Sequence, residues 1–388
     1  MFQHAIRIAE LIAVLGSFSS IAYYILSIWS AKRFLRNAAN ISAAVPASTP
    51  VSILKPLKGT DPEMYESFRS HCVQNYPQYE IIFGVSDPAD PALELVERLR
   101  KEFPECTIRL IICSEILGTN VKVSNLVQMA REARYDILLV NDSDIRVPPD
   151  YLRRITAHLG EPQIGMVTCL YRGVPAGSLG SRLEALGIST DFCAGVLVAQ
   201  KLERGIRFGL GSTLALRRTD LQSIGGFESL LDYLADDYEL GVRIANKGLR
   251  VKLSEVVVET FLPVYTLRGF VEHQLRWGRC IRDSRPWGHL GLVTTFGLMW
   301  SLLALILGKG ALWAWLLLFA VLLARALMAI SVGKQVLHDT QVMRSLWLLP
   351  LRDLMAVGLW IGSLLGHTVR WRGETFRLKR GKLVRVQE

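Results

Sequence analysis

Hydrophobic and polar positions change rhythm along the chain, and each change marks a boundary. Residues 5–29 (AIRIAELIAVLGSFSSIAYYILSIW) are almost continuously apolar, and a bilayer is crossed by about 20 such residues in a helix. The basic cluster Lys32, Arg33 and Arg36 follows this run instead of preceding it. Residues 1–36 therefore read as a membrane anchor rather than a cleaved signal peptide. Small and polar residues over 37–50 read as a linker. From Val51 the pattern alternates. VSILKP, EIIFGVSD, IRLIICS and DILLVNDSD are short apolar runs, followed by amphipathic stretches over 62–75, 91–103, 123–133 and 149–159. Strand–helix alternation at this spacing predicts an α/β domain over 51–265 with a mostly parallel, buried sheet.

Beyond it, 266–288 (FVEHQLRWGRCIRDSRPW at its heart) reads as an amphipathic interfacial helix. Apolar segments follow over 290–307, 311–330 and 346–365. Lys309 and Gly310 form the turn of a hairpin between the first two. Pro350, Arg352 and Asp353 interrupt the third, which either spans the bilayer or re-enters, and a basic tail (367–388) closes the chain. The C-terminal membrane segments are thus expected over 289–366.

The net charge of +10 in 388 residues alters this picture little. The excess cations flank apolar runs, at Lys32–Arg36, Arg276–Arg285 and Arg370–Arg385, as expected of a cytoplasmic membrane face and not of a nucleic-acid groove. The six cysteines show neither a C-x-x-C pair nor zinc-ligand spacing, so they read as thiols in a reducing compartment.

Candidate chemistry falls at strand ends, where ligands of open α/β sheets bind. Asp142 and Asp144 end the fourth run, two apart; on an extended strand both would point one way and hold a divalent cation. Acidic caps before Pro148 explain them equally well. Lys55 and Lys58 follow the first run and favour an anionic donor or plain solvation. Asp87 and Asp90 follow the second and suit either a nucleoside or turn chemistry. Lys122 and Asn125 open a helix, placed for phosphate or ribose. Asp236 and Asp237 start another helix as caps or as a general base. His273, Arg276 and Trp277 share one face of the amphipathic helix, where arginine can neutralise a leaving diphosphate and indole can stack on a sugar.

Taken together, KPLKGTDP, DPADPA, NVKVSNL, NDSDIRV, ADDYELG and the R-W helix, in this order from 51 to 287, resemble the ceramide glucosyltransferase family. The resemblance implies a GT-A fold and inverting transfer of one hexose from a UDP-sugar to a lipid primary hydroxyl. It places donor contacts at Lys55, Asp87, Asp90, Lys122, Asn125, Asp142 and His273, and Mg²⁺ or Mn²⁺ at Asp142 and Asp144. The base falls on Asp237, assisted by Arg276 and Trp277. A bacterial sister group that adds N-acetylglucosamine to hopanoids resembles the chain as well, so the acceptor is ceramide or hopanoid. His273 departs from the family's Gln/Arg at that place, and residues 189–193 depart from the His-Pro of eukaryotic members. The rival readings are a polysaccharide synthase, for which four apolar segments are few, and a non-catalytic membrane scaffold. The expected location is integral to a membrane, with the catalytic domain cytoplasmic and no nucleic-acid partner.

Overall fold

The apolar runs become strands because both of their faces are covered. In the computed structural model, which describes residues 2–39, 49–203, 205–371 and 374–385, β1 (Val51–Pro56) and β4 (Ile137–Val140) are buried at every position. With β2 (Tyr79–Val85), β3 (Thr107–Ile112), β5 (Ile145–Arg146), β6 (Ile164–Pro175), β7 (Leu214–Arg217) and β8 (Arg250–Leu262) they form an eight-stranded sheet of order β3-β2-β1-β4-β7-β6-β8-β5. The parallel arrangement expected of the first four runs is present in β3-β2-β1-β4. The other half is mixed: β7 runs antiparallel to β4 and β6, and β5 antiparallel to β8.

Alternation sorts side chains to two faces. Ile53, Ile81, Phe83 and Leu139 point into a core with Phe68, Val96 and Tyr151 from the helices Met64–Cys72, Ala92–Glu102 and Tyr151–Leu159. On the other face the helix Val121–Glu132 lies so close that a Cβ at Gly84 would meet Met129 Sδ at 2.4 Å. β1 has β2 on one side and β4 on the other. Chain order reverses there, and the crevice beyond the carboxyl ends of β1 and β4 is where such sheets bind ligands.

Two units emerge from the packing. The α/β unit comprises Ile41–Ala176, Ala199–Pro263 and Thr375–Glu388, and the helical unit Met1–Asn40, Gly177–Val198 and Val264–Glu374. Residues 177–198 thus interrupt the α/β unit, an excursion that the 51–265 boundary drawn on the sequence does not take into account. Most of the 37–50 linker, namely 40–48, lies outside the described residues.

Among the described residues, four helices are long and apolar enough to cross a membrane: Gln3–Ala38, Leu179–Leu202, Leu312–Val336 and Thr340–Leu364. The second was not evident in the sequence. Pro350 is tolerated in the last because it falls in the first turn of Leu349–Leu364. The expected hairpin has its turn, with positive φ at Lys309 and Gly310, but its first arm is broken. Pro286–Thr295 and Gly297–Leu307 meet at a 50° bend. Carbonyls freed at the bend are taken up by the N-terminal helix: Ser20 Oγ donates to the Thr294 carbonyl (2.8 Å) and Tyr24 Oη to that of Thr295 (2.9 Å). Polar backbone in an apolar unit requires such partners.

Candidate active site

Asn141, directly after β4, anchors the site. It is fully buried, and its Nδ2 donates to the Ser212 carbonyl (2.6 Å) and to Tyr151 Oη (2.9 Å). The residues after it do not continue as a strand: the Ile145 N–H reaches back to the Asp142 carbonyl (3.3 Å), closing a turn. The same-face argument for Asp142 and Asp144 therefore fails. Asp142 faces Lys122, whereas Asp144 accepts a hydrogen bond from Thr260 of β8. The two carboxyls still feel each other, since burial and the charge of Asp142 push Asp144 up to about 6.

The helix Val121–Glu132 is capped by Asn120, whose side-chain oxygen accepts from Val123 N–H (3.2 Å). Lys122 in its first turn places Nζ 2.9 Å from Asp142 Oδ1 and 3.2 Å from Asp236 Oδ2. Burial opposes its charge, but Asp142, Asp236 and Asp237 outweigh burial and hold the ammonium above its ordinary pKa. One lysine thus ties the loop after β4 to the start of the helix Asp236–Asn246.

In that helix Ala235 is the N-cap and both aspartates fall in the first turn, so neither holds the capping position considered from the sequence. Asp236 is buried, whereas Asp237 is partly open to solvent. Asp237 Oδ2 accepts from the Gly211 N–H (2.7 Å) and Oδ1 from the Tyr238 N–H (2.7 Å). Burial and the neighbouring Asp236 push its carboxyl up to about 6. The loop carrying Gly211 comes close because Gly241 leaves room: a Cβ there would meet Gly209 N at 2.4 Å.

The remaining predicted positions divide. Lys55 lies within β1, fully buried, donating to the Asp142 carbonyl (3.0 Å). Burial pulls its ammonium down to about 7 against the attraction of Asp144 and Asp142. It supports the site loop from beneath. Asp90 spends both oxygens on backbone, accepting from Gly59 N–H (2.8 Å) and Ala92 N–H (2.9 Å). Asp87 accepts from Ala89 N–H (2.8 Å) in the same turn. Asn125 is buried and accepts from Ser86 Oγ (2.8 Å). His273, Arg276 and Trp277 belong to the helix Leu267–Ser284 of the helical unit, where the His273 and Trp277 rings lie 5.5 Å apart.

Among the described residues no group of three or more His, Cys, Asp or Glu side chains is arranged to hold a metal ion. Asp142 and Asp144 offer hard oxygen donors, the type that suits Mg²⁺ or Mn²⁺ when substrate phosphates complete the coordination. Crowding of like charge around Asp144 is of the kind a divalent cation relieves.

Two elements were missed in the sequence. The F-G-L-G-S-T loop supplies the Gly211 donor, and only its paired glycines hinted at a close approach. Within the basic tail, strands Glu374–Lys379 and Lys382–Arg385 form a hairpin whose turn residues, Arg380 and Gly381, have positive φ. Leu383 N–H donates to the Asp232 carbonyl (2.7 Å) and Leu234 N–H to that of Gly381 (3.0 Å), bracing the segment that leads into Asp236. Alternation in TFRLKRGKLVRV carried that signal.

The profile of Glycosyl transferase family 21 matches residues 12–384. Among similar proteins, ceramide glucosyltransferase 3 of Caenorhabditis elegans is 26% identical over 96% of this chain and 82% of its own length. Ceramide glucosyltransferase 1 of the same organism is 24% identical over 88% and 74%. A ceramide glucosyltransferase of Candida albicans is 32% identical, over 26% of this chain and 21% of its own length. The structure of a mannosyltransferase from Pyrobaculum calidifontis, in complex with GDP-Man and Mn²⁺, shares the fold. Its TM-score is 0.55 at 19% identity, covering 92% of this chain and 99% of that one.

Proposed function

Since the chain belongs to Glycosyl transferase family 21 and is a membrane glycosyltransferase, we propose that it moves one glucose from UDP-glucose to the primary hydroxyl of ceramide. The observation that carries the mechanism is the pairing of Asp237 with Gly211. Oδ2 is oriented by a backbone N–H at 2.7 Å, and a carboxyl near 6 is ionised at neutral pH yet basic enough to take a proton.

In the proposed reaction Asp237 accepts the proton of the lipid hydroxyl as its oxygen forms a bond to the anomeric carbon. The bond from that carbon to the diphosphate breaks on the opposite face. UDP leaves with the electron pair, and the configuration inverts to β. Lys122 keeps Asp142 and Asp236 in register, and its helix N-terminus adds positive potential for the diphosphate. Asp142 and Asp144 are the proposed ligands of Mg²⁺ or Mn²⁺, which when bound neutralises the diphosphate. Asp87, Asp90 and Asn125 are assigned to shaping the donor side, Asp90 by fixing the Gly59 turn. Lys55 supports the loop, and His273, Arg276 and Trp277 serve the acceptor or the leaving group.

The proposed location is an integral membrane protein with its α/β unit on the cytoplasmic side. Lys32, Arg33 and Arg36 at the end of the first membrane helix carry that assignment through the positive-inside tendency.

A transfer assay in membranes tests the reading. UDP-glucose and UDP-N-acetylglucosamine are offered against ceramide and bacteriohopanetetrol, with and without EDTA, and products are read by mass spectrometry. A single hexose on ceramide, lost with EDTA and restored by Mn²⁺, is expected. N-acetylhexosamine on the hopanoid would overturn the substrate assignment while keeping the mechanism. A ladder of sugars would overturn single transfer.

A further inference from the structure

The helical unit carries a buried polar network whose two ends differ. At one end Arg325 is saturated: its Nη2 meets Asp191 Oδ1 (2.6 Å) and Asp353 Oδ1 (2.8 Å), and its Nε meets Asp353 Oδ1 (3.1 Å). Asp191 lies in a π-helical turn, Ile188–Phe192, of the Leu179–Leu202 run. Such turns recur at functional sites. The network continues through Arg352, whose Nη2 approaches Asp191 Oδ2 (3.3 Å) and donates to Gln274 Oε1 (3.1 Å). Gln274 Nε2 then donates to Glu184 Oε2 (2.9 Å).

This second end is unsatisfied. Among the described residues, none is a hydrogen-bond partner of the buried Arg352 Nε and Nη1, Glu184 Oε1 or His273 Nδ1. The last two lie 3.0 Å apart without the alignment of a hydrogen bond. Arg352 is 7% exposed and Glu184 1%. Buried polar atoms in native proteins are nearly always paired, and in an apolar unit the penalty for leaving them unpaired is greatest. The position is built rather than incidental: a Cβ at Gly187 would fall 2.7 Å from Arg352 Nε, so glycine makes room for the guanidinium. The rings of Tyr265 and His273, stacked at 5.5 Å, lie at the same end.

Charge restricts what completes it. Among the described residues of this network, the carboxylates Glu184, Asp191 and Asp353 outnumber the guanidiniums of Arg325 and Arg352 by three to two. A phosphate would add to that excess. Arg352 calls for an acceptor oxygen and Glu184 for an N–H or O–H donor.

We propose that the Arg352–Gln274–Glu184 end of the network binds the uncharged polar head of the lipid acceptor, an amide or a set of neighbouring hydroxyls, and discriminates against phosphorylated heads. The proposal rests on the glycosyltransferase reading above and extends it to acceptor recognition.

The test uses the full-length enzyme in mixed micelles, with ceramide, bacteriohopanetetrol and ceramide 1-phosphate as probes. Arg352→Lys and Glu184→Gln are expected to raise the KM of the neutral acceptor at least tenfold while the KM of UDP-glucose stays within twofold. Ceramide 1-phosphate at ten times the ceramide KM should not compete in the wild type and should begin to compete in Glu184→Gln. Unchanged acceptor KM in both variants, or strong competition by the phosphate in the wild type, overturns the proposal. A photoactivatable ceramide on the wild type keeps the question open to refutation if the variants do not fold. Crosslinks within 179–202, 267–284 or 349–364 support the site, and crosslinks confined to other segments overturn it. Saturable crosslinking there by an enzyme that transfers sugar to no lipid would sink the transferase reading and leave the site standing. Competition between ceramide and bacteriohopanetetrol for the crosslink identifies which head fits; if neither competes, the proposal fails.

Discussion

Gly211 and Asp237 are joined by a hydrogen bond from the Gly211 N–H to Asp237 Oδ2, 2.7 Å long, across a gap that a Cβ could enter only by moving a carboxylate. A Cβ at Gly211 would lie 2.9 Å from Asp142 Oδ2 and 3.3 Å from Asp237 Oδ2. Both carboxylates therefore border one glycine, which sets the distance between the proposed base and the proposed metal ligand.

Gly211→Ala should consequently fold but misplace one or both carboxylates. Displacements of about 1 Å at a reacting centre cost about 10²-fold in rate. A fall in kcat of about that size is expected, with the protein's thermal unfolding temperature within a few degrees of wild type. A variant with normal kcat would show that the close approach has no bearing on catalysis.

Asp237→Asn should abolish turnover, by at least about 10³-fold, while binding of UDP-glucose measured by calorimetry survives. The pH profile follows from the same group. Burial and Asp236 place its carboxyl at about 6, so the base is ionised above that pH and protonated below it. kcat/KM should fall about tenfold per pH unit below 6 and level off above it. A profile flat down to pH 4.5 would remove Asp237 from the role of base.

Acid sensitivity of the α/β unit should trace in part to Glu255. Its Oε2 lies 2.9 Å from His158 Nε2, and its Oε1 accepts from Arg154 Nε at 3.1 Å. Burial would raise this carboxyl, but the hydrogen bond and charge of His158, with Arg154, hold it down to about 2 against an ordinary 4.5. A depressed carboxyl contributes stability that is complete above pH 4.5 and disappears as pH falls through about 2. Glu255→Gln should lower stability at pH 7 by ~3 kcal/mol and flatten the loss of melting temperature between pH 4.5 and about pH 2. Parallel acid curves for the two proteins would refute the assignment.

Arg325→Met should destabilise the helical unit. It removes the ion-pair partner that Asp191 and Asp353 share, leaving Asp191 with Arg352 and breaking the buried pair at Asp353, at a cost of about 3–5 kcal/mol. Arg325→Met combined with Asp353→Leu should recover part of the loss in detergent-solubilised protein followed by thermal unfolding. Additive losses would mean that the pair does not act as a unit.

Local pattern decided a good part of what this protein is. The runs at 51–56, 79–85, 107–112 and 137–140 are strands because continuous apolar stretches bounded by turn residues have few other ways to be buried. The ends of these strands pointed to Asp142 and Lys122 as a matter of topology. The family was legible because its motifs occur in order over most of the chain. Packing decided the rest. Asp142 and Asp144 were adjacent on paper but turn apart, because the backbone closes a turn at Ile145 and Thr260 of a distant strand claims Asp144. The Leu179–Leu202 helix was hidden because Glu184 and Asp191 dilute its apolar character. Their partners, Gln274, Arg325 and Arg352, lie 90, 134 and 161 residues further along, and no local window brings them together. Gly211 likewise meets Asp237 across 26 residues. A sequence window reports what one segment prefers by itself, whereas the neutralisation of a buried charge and the clearance over a glycine depend on which segments the fold brings into contact.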